Sequence, residues 1–248
     1  MFYCQLKGTY MVYKWLNNKL GQFLGQHCLL CDQIIEEHGS DFCHYCNEDL
    51  PVVQPACYQC GIGLKSVLTC RCGACLTVPP SYDHVISAYG YASPIRQLMA
   101  QYKFQRQLSL APLFARAMLA KSEIAASRCE GLLPVPLHSL RLRQRGFNQA
   151  LELAKPLAKT CQKPILHKSI KRKRNTETQS DLSARQRVKN LKNAFECAEP
   201  LKYKSIAIID DVMTTGSTVN ELAKVLKLNG VEYVEVWCVA RANIRSGV

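Results

Sequence analysis

Residues 205–218, SIAIIDDVMTTGST, constrain the fold of this chain more than any other stretch. Ile206, Ala207, Ile208 and Ile209 form a short apolar run of the kind that makes a buried strand. Two adjacent carboxylates, Asp210 and Asp211, follow it. Val212 and Met213 lead into Thr214, Thr215, Gly216, Ser217 and Thr218, and a helical pattern begins at Val219. A strand, an acidic pair, a Gly/Thr loop and a helix N-terminus together make a phosphate–sugar site. The loop offers N–H groups and hydroxyls to a phosphate at the positive end of a helix. The carboxylates sit where they can accept hydrogen bonds from vicinal hydroxyls. A surface turn capped by Ser or Thr would use the same loop residues. It would not need an apolar strand ending in two carboxylates.

The run resembles the signature of type I phosphoribosyltransferases: an apolar strand, two acidic residues, then a T-T-G-x-T loop. The resemblance implies that residues 214–218 cradle the 5-phosphate of phosphoribosyl pyrophosphate (PRPP), with Val212 and Met213 also part of the PRPP site. It also implies that Asp210 and Asp211 hold the ribose 2- and 3-hydroxyls as the catalytic pair, with Mg²⁺ accompanying PRPP.

The rest of the chain from Tyr82 alternates strand and helix patterns. Strands are expected over 85–91, 131–137, 206–209 and 231–239. Helices are expected from Pro94 to Phe104, from Pro112 to Ser127, over 147–160 and over 219–229, the last closed by Gly230. Alternation of this kind predicts an α/β domain with a mainly parallel sheet. It is expected to span 81–248.

Upstream the cysteines are paired: Cys28-x-x-Cys31, Cys43-x-x-Cys46, Cys57-x-x-Cys60 and Cys72-x-x-Cys75. Each C-x-x-C can present two thiolates to one ion from a tight knuckle, and two pairs complete a tetrahedral all-sulfur site suited to zinc. Two zinc ions on consecutive pairs is the expected arrangement for a double ribbon over 28–80. Interleaved pairing, with the first and third pairs on one ion, is an alternative, as is a single complete site. Cys70 stands close enough to Cys72 to substitute as a ligand. Cys4, Cys129, Cys161, Cys197 and Cys238 stand singly and read as small apolar residues. A closed four-thiolate site leaves no position for substrate, so the metal is assigned to folding. Four C-x-x-C copies in series argue against a redox relay.

Two basic segments remain. In the first, a strand ends at Pro134-x-Pro136, the chain turns, and Arg141, Arg143 and Arg145 precede Gly146 and a helix. That layout directs cations at an anion; Arg141, Arg145 and Gly146 are the candidates to hold pyrophosphate. A solvated basic helix is the alternative. The second, residues 171–190, opens with Lys171, Arg172, Lys173 and Arg174, and holds Thr176, Gln179 and Arg187 but few large apolar residues. It is expected to be a flexible loop, serving as a lid over the site or as a nucleic-acid contact, with a plain solvated linker as the alternative.

The formal net charge of +13 points to an anionic partner, nucleic acid or a polyphosphate. No stretch approaches the length of a spanning helix, and the first residues lack a signal-peptide core. A cytoplasmic protein is expected. In residues 1–27, Val12, Leu16, Leu20, Phe23 and Leu24 follow helical spacing and predict a short amphipathic docking helix.

Taken together, the chain resembles the ComF family. The matching motifs are R-x-x-x-R-G-F-N-Q from Arg141 to Gln149, T-x-x-Q at Thr176 and Gln179, R-x-x-N-L-K-N-A-F from Arg187 to Phe195, the PRPP loop and the paired cysteines. The resemblance implies a role in natural transformation, the handling of incoming single-stranded DNA, and partners among competence helicases or recombination proteins. Two functions of different class follow. One is a DNA-handling adaptor that keeps a PRPP site. The other is an active transferase that passes phosphoribosyl to an acceptor. No aromatic hood follows the last strand, and this favours the adaptor.

Overall fold

The computed structural model describes residues 26–35, 40–66, 70–173 and 193–242, with the main chain alone at 123–127. The expected N-terminal helix and the basic-loop residues Arg174, Thr176, Gln179 and Arg187 lie outside the described residues. The chain divides into two compact units between Leu50 and Pro51.

The first unit holds a small antiparallel ribbon, β1 (Gln26–His27) against β2 (Ile34–Ile35), and a short helix, α1 (His44–Glu48). Its first knuckle is closed by the Asp32 N–H donating to the Cys28 carbonyl at 2.9 Å.

The second unit opens with another knuckle. The Gly61 N–H donates to the Cys57 carbonyl, and the Cys57 N–H to the Ile62 carbonyl, both at 2.8 Å. Gly61 has φ +68, and a side chain there would strike Val85, so only glycine fits the turn. Helix α2 (Gly73–Thr77) carries the second pair. Cys57, Cys60 and Cys75 are buried in the same apolar cluster as Tyr82, Val85, Leu133 and Leu222. The second ribbon is therefore part of the larger unit and not a separate bead.

The chain then alternates as the sequence pattern requires. The elements are β3 (His84–Gly90), α3 (Ile95–Phe104), α4 (Ala111–Arg128), β4 (Gly131–Pro134), α5 (Ser139–Arg145) and α6 (Gln149–Cys161). They are followed by β5 (Ile170–Arg172), β6 (Phe195–Cys197), β7 (Ser205–Met213), α7 (Ser217–Leu228) and β8 (Tyr233–Arg241). Strands β3, β8, β7 and β4 form one sheet in that order, every pair parallel. Ile206, Ala207, Ile208 and Ile209 are fully buried at its centre. The apolar faces of α6 (Leu153, Leu157) and α7 (Leu222, Leu226) recur at helical spacing and are fully buried. Strands β5 and β6 pair antiparallel as a separate ribbon.

Three differences from expectation bear on the site. Strand β7 runs on to Met213, because β8 continues beside it and pairs Asp210 with Cys238 and Met213 with Arg241. The acidic pair thus stands on the end of a strand instead of after it. Strand β4 stops at Pro134, short of Leu137, since a proline cannot donate to a ladder and Pro136 follows. The arginines before Gly146 do not lie in an open turn: Ser139–Arg145 is a helix, capped by His138 and ended by Gly146 at φ 80. None of the described helices is long and apolar enough to cross a membrane.

Candidate functional site

The C-terminal ends of β4 and β7 open on one cavity of about 310 Å³, the edge where parallel α/β sheets place ligands. Its wall brings together Asp210, Asp211, Val212, Thr214 and Thr218 from β7 and its loop, Arg141 and Arg145 from α5, and Arg172 from β5. Lys103, Phe104, Tyr91 and Gln149 also line it.

The acidic pair is built into the strand end. The Asp211 N–H donates to Asp210 Oδ1 at 2.9 Å, and the Val212 N–H to Asp211 Oδ1 at 2.5 Å. Burial and the neighbouring Asp211 charge push the Asp210 carboxyl up to about 7, while Lys103 and Arg172 pull the other way. Lys103 Nζ is 3.0 Å from Asp211 Oδ1, with 20% and 13% of the two side chains exposed.

Beside the acidic pair, residues 212–219 line a smaller cleft of about 40 Å³. Gly216 is the N-cap of α7 with φ 79, and no side chain caps that helix. A Cβ on Gly216 would come within 2.7 Å of Met213 Cε and 3.1 Å of the Tyr82 hydroxyl. Thr215 Oγ1 and Ser217 Oγ lie 2.9 Å apart on the rim. The Ser217 N–H donates to Thr215 Oγ1 at 3.3 Å, and main-chain N–H groups, hydroxyls and a helix N-terminus converge here, which suits a phosphate. Met213 itself is buried, and its carbonyl accepts from Arg241 and from the Ala242 N–H. It lines the cleft and packs beneath the loop at Gly216.

The basic wall has its own supports. Asn148 caps α6, accepting from the Ala150 and Leu151 N–H groups, and donates to the Val135 carbonyl at 3.0 Å. This ties the loop after β4 to the next helix. Gly146 stands off the wall and ends α5. Arg172 is held down at about 10 by burial and by the like charge of Arg141, with Asp210 opposing them. Its guanidinium lies 5.5 Å over the Phe195 ring. Lys171 and Arg172 belong to β5, because Ile170 and Phe195 bury and pair the two strands. The flexible-loop expectation for these two is therefore corrected. Lys173 follows and pairs with Glu196 at 2.7 Å.

Four wall residues escape sequence reasoning. Lys103 sits at the end of α3, where its charge looks like an ordinary surface lysine. Tyr91 and Phe104 supply aromatic surface from the β3–α3 region and not from beyond the last strand; Phe104 is 74% exposed. Gln149 ends the motif running from Arg141, yet only the fold shows that its side chain is 2% exposed on this wall. Its Nε2 has no hydrogen-bond partner among the described residues.

The cysteines form two sets. In each, Cys28, Cys31, Cys43 and Cys46, and Cys57, Cys60, Cys72 and Cys75, the sulfurs all lie within 4.8 Å of one another. Consecutive pairs thus share a site, which rules out interleaved pairing, and Cys70 belongs to neither set. Burial works against the Cys57 thiolate. The N–H groups of Cys60, Cys72 and Gln59 outweigh it and lower the thiol to about 7; the Cys72 N–H donates to its sulfur at 3.2 Å. Cys28 is likewise lowered to about 6, against burial, by main-chain N–H groups of Cys43, Leu30 and Cys31. Four sulfurs to a cluster, one of them in each favoured as a thiolate by main-chain N–H groups, fit a structural zinc in each ribbon.

Comparison with known proteins agrees with these features. Residues 142–247 match the phosphoribosyl transferase domain family, and residues 20–76 match the double zinc ribbon domain family. The chain is 36% identical to competence protein F of Haemophilus influenzae over 89% of its length and 99% of the relative's. It is 38% identical to the DNA utilization protein YhgH of Escherichia coli over 86% and 96%. It is 25% identical to competence protein ComFC of Bacillus subtilis over 82% and 89%.

Proposed function

The chain belongs to the ComF family, and on that premise we propose that it binds PRPP and single-stranded DNA and handles DNA during natural transformation. One observation carries the PRPP half: a single cavity joins two carboxylates, a phosphate-type loop and three arginines. The loop residues 214–218 receive the 5-phosphate. Asp210 and Asp211 accept from the ribose hydroxyls. Arg141, Arg145 and Arg172 face the pyrophosphate, and charge-assisted pairs of this kind are the strong ones. The buried Gln149 amide supplies a donor that has no protein acceptor among the described residues. Mg²⁺ bound with PRPP would neutralise part of the pyrophosphate charge.

The DNA half rests on the +13 charge and on relatives named for competence and for DNA utilization. Isothermal titration of PRPP with Mg²⁺ against wild type and the double variant Asp210→Asn/Asp211→Asn tests the first half. Binding unchanged by the double variant would remove the acidic pair from the site.

Tyr91 and Phe104 on the cavity wall favour a second reading, an active transferase. A planar acceptor resting against these rings would attack C1 of PRPP. The C1–O bond to pyrophosphate breaks, pyrophosphate leaves with its electron pair, and the acceptor's proton passes to solvent. Pyrophosphate release from PRPP in cell extract, abolished by Phe104→Ala with PRPP binding retained, would establish this reading over the adaptor.

A further inference from the structure

We propose that the second zinc ribbon is a working part of the phosphate site, holding the 214–218 loop in place through Arg241; the proposal rests on the PRPP reading and adds its regulation.

Arg241 ends β8 and is 5% exposed. Its Nε donates to the carbonyl of Cys60, a ligand of the second ribbon, at 2.8 Å. Its Nη1 donates to the Met213 carbonyl at 3.1 Å, to the Thr214 carbonyl, and to the Ala242 carbonyl at 2.7 Å. One planar guanidinium thus spans the metal knuckle and the first residues of the loop, using donors in a fixed fork. Every one of these acceptors is a main-chain carbonyl. A buried cation needs compensating charge. The four thiolates of a loaded zinc site exceed the metal's charge and supply it from the ribbon side.

Two further contacts run along the same line. The chain leaving the ribbon places Tyr82, 4% exposed, under Gly216, where its hydroxyl would lie 3.1 Å from a Cβ. The adjacent Ser81 N–H donates to Asn220 Oδ1 on α7 at 2.7 Å. The loop is therefore backed from below by Arg241 and Tyr82, and Ser81 holds the helix that follows it; all three join it to the second ribbon. The first ribbon lies in the other compact unit and makes none of these bonds. Coupling between two sites is reciprocal: if the loaded ribbon favours the PRPP-competent loop, PRPP must favour the loaded ribbon by the same factor.

The test uses the full chain with both sites loaded. Zinc release to a chromogenic chelator is followed with and without saturating PRPP and Mg²⁺, and Cys46→Ser protein identifies which phase belongs to the second site. PRPP is expected to slow release from the second site at least threefold and to leave the first unchanged. Arg241→Gln is expected to retain both zinc ions, lose that protection and bind PRPP at least tenfold more weakly, with Arg241→Lys intermediate. Equal protection of both sites, or of neither while PRPP still shifts the melting temperature, overturns the proposal without touching the PRPP reading. So does wild-type PRPP affinity in Arg241→Gln. Amide exchange at 213–217 in the ligand-free chain reads the link even without PRPP. It should rise in Cys72→Ser and not in Cys46→Ser, and equal exchange in the two variants overturns the proposal.

Discussion

Lys103 Nζ sits 3.0 Å from Asp211 Oδ1, joining the end of α3 to the end of β7 across the mouth of the cavity. The ion pair keeps a positive charge beside two carboxylates of which one, Asp210, is already pushed up to about 7. Replacing Lys103 by Met removes the cation that most opposes this rise. The pH at which PRPP binding reaches half its maximum should then move upward by roughly one unit, about 1.4 kcal/mol of interaction. Calorimetric titration from pH 6 to 9 reads it, and an unmoved midpoint would separate Lys103 from the site.

The same shift bears on stability. A carboxyl raised from its ordinary value to about 7 in the fold binds more protons folded than unfolded. Stability contributed by the protonated form is therefore full below the ordinary carboxylate range and is lost as pH rises to about 7. Asp210→Asn should melt higher than wild type at pH 8, by at least about 2 °C, the shift roughly 1 kcal/mol produces in a chain of this size. At pH 4 the difference should vanish. Thermal melts at the two pH values check it.

Two clusters of four sulfurs within 4.8 Å predict about two zinc ions per chain by elemental analysis. Cys28→Ser and Cys57→Ser should each lose about one ion. Cys57→Ser should cost more stability, since Cys57 belongs to the main apolar cluster and is 1% exposed. A metal-free preparation with unchanged melting would contradict the assignment.

For DNA, Arg172 is set aside because it lines the cavity, and Lys171, Lys173 and Arg174 are left to meet phosphates. The Lys173–Glu196 pair is half-exposed on both sides, so it is easily given up. Single-stranded DNA should bind with little sequence preference. Replacing these three residues by Ala should weaken binding and flatten the log–log salt slope by about 0.7 per lost contact. Filter binding across a salt series decides it; an unchanged slope clears the segment.

Much of this was legible in the chain itself. The run from Ile206 to Thr218 announces strand, acidic pair and loop because each is local: an apolar run, two charges and a glycine forced to positive φ. The cysteine pairing was narrowed but not decided, since which knuckles meet depends on the path between them. Lys103 and Arg241 were hidden for a different reason. Lys103 reaches Asp211 only because β3 and β7 end at the same edge of the sheet. Arg241 reaches the loop only because the β7–β8 register sets it opposite Met213. For Arg141 to Arg145 the sequence leaves a turn and a basic helix both open, because Gly146 marks a helix end as readily as a loop; the fold has the helix.

The most direct test of the central claim is the melting temperature of the full chain with saturating PRPP and Mg²⁺. A ligand bound only to the native state stabilises by about 2.7 kcal/mol at one hundred times its Kd. That should raise the melting temperature by several degrees in wild type. The rise should disappear in Asp210→Asn/Asp211→Asn while the ligand-free variant stays folded. No rise in wild type, or an equal rise in the double variant, would contradict the account.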